Sequence, residues 1–321
     1  MERDYHLDNY KAFLILMVVI GHFLHPIQAN VEWANYLRKV IFLFHMPAFI
    51  FISGYFGKRN DGIKLFKKLL IPYLIMQLGI WLLRLITPLR DNYFTIVQPY
   101  FTLWFLPCLF FWRLAVDKLS KVKGIVPISF AVGILAGFDL MVAETLSLSR
   151  MLCFFPYFLL GYRFDKKQFM DVWRNKWIKL GAFAVVITIF AVLALISPRI
   201  AMYDFLFRRF YIAGKELAGA GVRIALYLCG IFLTYLFLLL IPEKKCWFSW
   251  IGTRTMSIYL FHGLLIRILA EAGFLKCLRG NVGGIVAILL SVGMTALLAT
   301  KPFHWLTEKM ASVPVERLFR L

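Results

Sequence analysis

Lys11 and His22 stand eleven residues apart, joined by the unbroken apolar run Ala12 to Ile20. Eleven steps of about 100° make three turns plus roughly 20°, so on a helix both side chains share one face, roughly 16 Å apart along the axis. A second apolar stretch carries His45 four residues inside its outer start, at a depth similar to that of His22. A neutral imidazole in a low-dielectric cavity takes a proton from a hydroxyl near pH 7, and a cation at the edge of such a cavity holds a phosphate. The pattern predicts a phosphorylated donor entering from the cytoplasm and chemistry deeper in, with His22 and His45 as catalytic candidates and Lys11 as a donor-binding one. The bland alternative is that each histidine bonds a backbone carbonyl between helices. Two of them at matched depth above a lysine favour chemistry. The basic stretch Lys58 to Lys68 reads first as a topology signal in contact with anionic lipid. Phosphate binding by Lys64, Lys67 and Lys68 is an added role.

These residues need elements that hold ionisable groups at membrane depth. Hydrophobic residues make up 61% of the 321, and the mean hydropathy is +0.74. A water-facing domain of this length cannot cover so much apolar surface, whereas a bilayer removes the need to. Stretches long enough to cross lipid recur, separated by short charged connectors. The reading is all-α: a polytopic helical bundle with about ten transmembrane helices at 12–27, 41–56, 69–87, 100–117, 125–141, 151–163, 178–197, 222–241, 255–270 and 283–300. Residues 1–321 form a single domain. With the N-terminus in the cytoplasm, about two thirds of the 37 Lys and Arg fall on the cytoplasmic side, the usual bias. Both termini are therefore expected there. The bias also explains the net charge of +20 without nucleic acid. The first apolar run lacks a basic leader and an Ala-x-Ala site, which predicts an uncleaved first helix. Five cysteines without Cys-x-x-Cys spacing predict no disulfide and no metal site.

The ordered motifs resemble the acyltransferase-3 family of membrane O-acyltransferases, in its fucose 4-O-acetylase-like branch. Asp8 to His22 matches the family's basic residue, ten residues, then His. Phe44-His45-Met46-Pro47 followed by Ser53-Gly54-Tyr55 looks like a variant of its second-helix motif. Lys64 to Tyr73, Leu103-Trp104-Phe105-Leu106-Pro107 and Ser257 to His262 follow in the family's order, and Arg150 with Phe154 to Gly161 fits more loosely. Two departures stand out: Lys11 replaces the commoner Arg, and Pro47 occupies a position where many members carry Asp. The resemblance implies transfer of an acetyl or other short acyl group from cytoplasmic acetyl-CoA (acyl-CoA) to a sugar hydroxyl of a cell-envelope glycan or lipid-linked sugar. It implies His22 as general base, Trp104 beside the donor, and Arg150 and His262 beside the acceptor. No permanently bound cofactor is implied, the partners being donor, acceptor and membrane lipids. The expected location is the bacterial cytoplasmic membrane.

The outer connector 198–221 carries Arg199, Arg208, Arg209 and Lys215 with Tyr203 and Tyr211. Cations outside run against the topology bias. They read either as lipid-headgroup contacts or as binders of an acidic glycan, with Arg208 and Arg209 as substrate candidates. Polar groups inside a bundle also line transport paths, so a transporter or flippase of lipid-linked saccharide is the competing function. Paired intramembrane histidines would also suit a haem carrier, which no other feature of the sequence supports.

Overall fold

A computed structural model describes residues 3–25, 27, 31–58, 61–85, 95–138, 147–196 and 211–314. Among these, α-helix dominates and no strand occurs. Helix α1 spans Tyr5–Phe23 and α2 spans Glu32–Tyr55. Short α3 (Gly62–Leu65) passes through one π-helical turn, Phe66–Leu70, into α4 (Ile71–Leu85). Then follow α5 (Phe105–Leu119), α6 (Ile125–Leu135), α7 (Leu148–Arg163), α8 (Lys166–Trp173) and α9 (Lys176–Ile196). The last four are α10 (Glu216–Leu240), α11 (Thr255–Glu271), α12 (Gly280–Leu298) and α13 (Lys301–Ala311).

Within the described residues each predicted span overlaps one of these helices, while 26, 86–87, 139–141 and 197 at the ends of four of them lie outside the described residues. Among the described residues five helical stretches have the length and apolarity to cross a membrane: α2, α3 through α4, α9, α10 and α12. The others fall short for visible reasons. Helix α1 has 19 residues, but Asp8, Asn9 and Lys11 crowd its first two turns and His22 its last. Helices α5, α6, α7 and α11 have 15, 11, 16 and 17 residues. Besides the short α3, two helices among the described residues lie outside the predicted spans. Asp165 starts α8 by accepting the Gln168 N–H at 3.0 Å, and α13 follows the last apolar stretch with Pro302 in its first turn.

The outward faces identify the solvent. Leu195 on α9 and Leu289 on α12 are 79% and 64% exposed, and Phe183, Ile187, Val282 and Ile285 lie bare beside them. Such continuous apolar surface suits lipid and not water. The protein is a membrane protein.

Helix α2 is the axis of the bundle, packed against α1, α7 and α10. Glycines set its crossing with α7. A Cβ on Gly54 would overlap the Phe158 carbonyl of α7, and one on Gly161 would overlap the Phe51 carbonyl of α2. The two backbones touch because neither glycine has a side chain, the usual device for close helix approach in lipid. The start of α1 is tied down separately. Asn9 Nδ2 donates to the carbonyls of Pro242 and Lys244 at 2.9 and 2.8 Å, and Tyr10 donates to Thr234 at 2.7 Å. A Cβ on Gly252 would overlap the Asp8 carbonyl. These contacts fix the height and rotation of α1, and with them the positions of Lys11 and His22.

Candidate active site

Helices α1 and α2 run antiparallel. His22 therefore lies beside Phe42, with His45 on the far edge of that ring, while Lys11 lies beside Phe56, the residue that follows α2. The site has two ends.

At the histidine end, the His22 ring centre is 5.3 Å from that of His262 on α11 and 5.0 Å from that of Phe101. Phe42 sits edge-on to His22 at 5.7 Å and to His45 at 4.7 Å. His45 and His262 are 2% and 0% exposed. His45 Nδ1 meets the Ile41 carbonyl at 2.8 Å, and His262 Nδ1 meets those of Tyr259 and Ile258 at 2.7 and 3.0 Å. A carbonyl oxygen only accepts, so both Nδ1 atoms carry the proton, and in each neutral ring Nε2 keeps a lone pair.

The segment before α5 closes this end. Phe101 has φ 46°, a left-handed conformation that bulky residues avoid, and its ring turns onto His22. The Tyr259 hydroxyl donates to the Thr102 carbonyl, and Gly263 leaves room for Thr102. Trp104 stacks on Phe154 at 5.4 Å, with the Arg150 guanidinium 5.0 Å above its ring. Trp104 and Arg150 thus stand at the histidine end. Pro47 faces away from it, packed against α10 where Gly230 gives room. Two residues make about 200° on a helix, so position 47 and His45 point in opposite directions.

At the other end, Lys11 Nζ lies 3.0 Å from Asp8 Oδ1 and 5.2 Å from the centre of the Phe56 ring. Arg3 Nε donates to Asp8 Oδ2 at 2.8 Å. Arg113 of α5 donates to the Phe56 carbonyl at 2.8 Å, so two cations converge on Phe56. The π-helical turn carrying Lys67 and Lys68 packs on α5 as well. Lys64 stands apart, exposed and 3.2 Å from Asp61. Backbone N–H bonding from Lys64, together with the Lys64 ammonium, holds the Asp61 carboxyl below its ordinary range.

The structure therefore gathers His22, His45, His262, Trp104 and Arg150 at one end, and Lys11 with the Lys67–Lys68 turn toward the other. Arg208 and Arg209 lie outside the described residues. Sequence reasoning missed Asp8, Arg113 and Arg38. Asp8 was legible three residues before Lys11. Arg38 is buried, contacts His25 and lies 5.7 Å from the Phe42 ring. It precedes His45 by two helical turns and so shares its face. Arg113 carries no signal, because its meeting with Phe56 is tertiary. Among the described residues no three His, Cys, Asp or Glu side chains are placed to hold a metal.

The motif order and this geometry meet in one comparison. Residues 4–300 match the acyltransferase domain family. The chain belongs to that family. This acyltransferase-family chain is 28% identical over 200 residues to nodulation protein NolL of Mesorhizobium japonicum, covering 55% of this chain and 52% of that one. It is 45% identical over 56 residues to nodulation protein NolL of Sinorhizobium fredii, covering 16% and 15% of the two chains. The longer match spans about half the length of that relative. No solved structure matches.

Proposed function

We propose that this acyltransferase-family member is a membrane O-acyltransferase that moves an acetyl or other short acyl group from acyl-CoA to a sugar hydroxyl of an envelope glycan or lipid-linked sugar. The observation that carries the reading is the division of α1. Lys11 sits near the cations Arg3 and Arg113 at one end, and His22 sits among aromatic and imidazole rings roughly 16 Å along the same face. CoA has the same polarity, with phosphates at one end and the thioester at the other. Lys11, Lys67, Lys68 and Lys64 bind the phosphates. Trp104 flanks the thioester where it reaches the histidines, and Arg150, over the Trp104 ring, lies on the acceptor side of it.

His22 takes the proton of the acceptor hydroxyl as its oxygen attacks the thioester carbonyl. Collapse of the tetrahedral adduct breaks the C–S bond, and the CoA sulfur leaves with the proton that His22 returns. The buried rings of Phe42, His45 and His262 on one side of His22 limit the access of water, which would otherwise hydrolyse the thioester. Ten crossings, both termini in the cytoplasm, and residence in a bacterial cytoplasmic membrane complete the proposal. They place Lys11 on the side where acyl-CoA is made.

The test incubates membranes containing the protein with radiolabelled acetyl-CoA and follows the label. Transfer to a glycan or lipid-linked sugar, competed by excess unlabelled acetyl-CoA, is expected. No transfer above membranes lacking the protein overturns the reading.

A further inference from the structure

Three histidines meet at one end of the site, and no Asp or Glu among the described residues pairs with any of them. A base that takes a proton from a hydroxyl needs its ring held in one tautomer and one orientation, usually by a group accepting from its other nitrogen. We propose that His262 is that group: a positioning residue whose Nε2 accepts the N–H of His22 and turns the free His22 nitrogen toward the acceptor. This rests on the acyl-transfer reading above.

Two backbone carbonyls, of Tyr259 at 2.7 Å and Ile258 at 3.0 Å, fix the proton of His262 on Nδ1. The lone pair is thereby fixed on Nε2, at the opposite edge of the ring. Nε2 is buried and meets no hydrogen-bond partner among the described residues. Buried polar atoms are rarely left so, and each asks for a partner. The neighbouring polar ring is His22, its centre 5.3 Å away and its plane tilted by 39°. Once the radii of two imidazoles are allowed for, that spacing leaves the length of one N–H···N bond, reached by a small rotation of His22 about χ2.

His45 has its proton fixed in the same way, but the edge of Phe42 stands against both rings. The remaining titratable neighbours of His22 are His25 and Arg38, toward the connection to α2. His25 already accepts from Arg38. His262 is thus the group placed to orient His22. During transfer the acceptor proton moves to the free nitrogen of His22, and the imidazolium so formed keeps its other N–H on His262. His262 stays neutral throughout, and the proton leaves on the CoA sulfur.

The test compares wild type, His262→Gln, His262→Ala and His22→Ala in membranes supplied with radiolabelled acetyl-CoA. Beside it, ¹⁵N-histidine NMR of the reconstituted full-length protein reads the His22 tautomer. Expected are a fall in kcat of roughly 10–100-fold in His262→Ala, the size of one lost bond to a charged group, an unchanged KM for acetyl-CoA, and a displaced pH–rate profile. Gln offers an acceptor oxygen but no basic nitrogen, so His262→Gln is expected to recover most of the rate. His22 is expected in one tautomer in wild type and in a mixture in His262→Ala. Equal rates and one unchanged tautomer in all His262 variants overturn the proposal. So does a His262→Gln protein as inactive as His22→Ala, which makes His262 the base itself. If wild type transfers no label, the acyltransferase reading has failed, and the tautomer spectra still decide whether His262 orients His22.

Discussion

Lys11 and His22 share a helix face but not an environment, and the proposed function gives them different work. Lys11 is half-buried, balanced by Asp8, which also holds Arg3. Asp8 is 7% exposed and keeps the Lys11 ammonium from swinging out to water. Replacing Lys11 by Ala is expected to raise the KM for acyl-CoA severalfold and leave acceptor affinity unchanged. Asp8→Asn is expected to move donor KM as well, while Lys11→Arg retains function, since a second cation fits the same place. Donor KM unchanged in Lys11→Ala would remove Lys11 from the donor site. The cationic loop offers a graded comparison. Lys64 is exposed and already paired with Asp61, so Lys67→Ala with Lys68→Ala is expected to weaken acyl-CoA binding more than Lys64→Ala, with the larger effect at low salt, where the charges are least screened. At this scale the sequence was legible where residues act along one helix. Lys11, His22 and Asp8 can all be placed by the 100° rule. Arg113 and the closeness of His262 to His22 could not, because both arise from packing between segments far apart in the chain.

Among elements, the α2–α7 crossing determines whether the site exists. His45 and Phe42 on α2, and Arg150 and Phe154 on α7, are held in register by Gly54 and Gly161, whose missing side chains admit backbone contact. Gly161→Ala is expected to destabilise the fold by about 1–3 kcal/mol, the common cost of overpacking a tight interface. Thermal unfolding in detergent reads it, and Gly161→Leu is expected to abolish insertion. A Gly161→Ala protein as stable as wild type would show that α7 can move away at no cost. Helix existence was readable from apolar runs because lipid demands them. Helices α8 and α13 escaped because each mixes charged and apolar residues over too short a length for a span. Boundaries shifted where polar residues extend a helix past its apolar run, as Tyr5 to Lys11 extend α1.

The proposed direction of the whole molecule rests on its charge. The proposed topology puts the α10–α11 connection in the cytoplasm and the α11–α12 connection outside. Each carries one cysteine, Cys246 half-buried and Cys277 exposed, both free. In intact cells a membrane-impermeant maleimide is expected to label Cys277, and Cys246 only after permeabilisation. Labelling of Cys246 from outside would invert the molecule and put Lys11 on the wrong face for acyl-CoA. The central claim, that the ring cluster around His22 performs base-catalysed acyl transfer from acyl-CoA, is reached most directly by one comparison: label transfer from acetyl-CoA by wild type and by His22→Ala at equal amounts of inserted, folded protein. A fall of roughly 10²–10⁴-fold, the usual contribution of a general base, is predicted, with acetyl-CoA binding retained. A folded His22→Ala protein that transfers acetyl at the wild-type rate would contradict it.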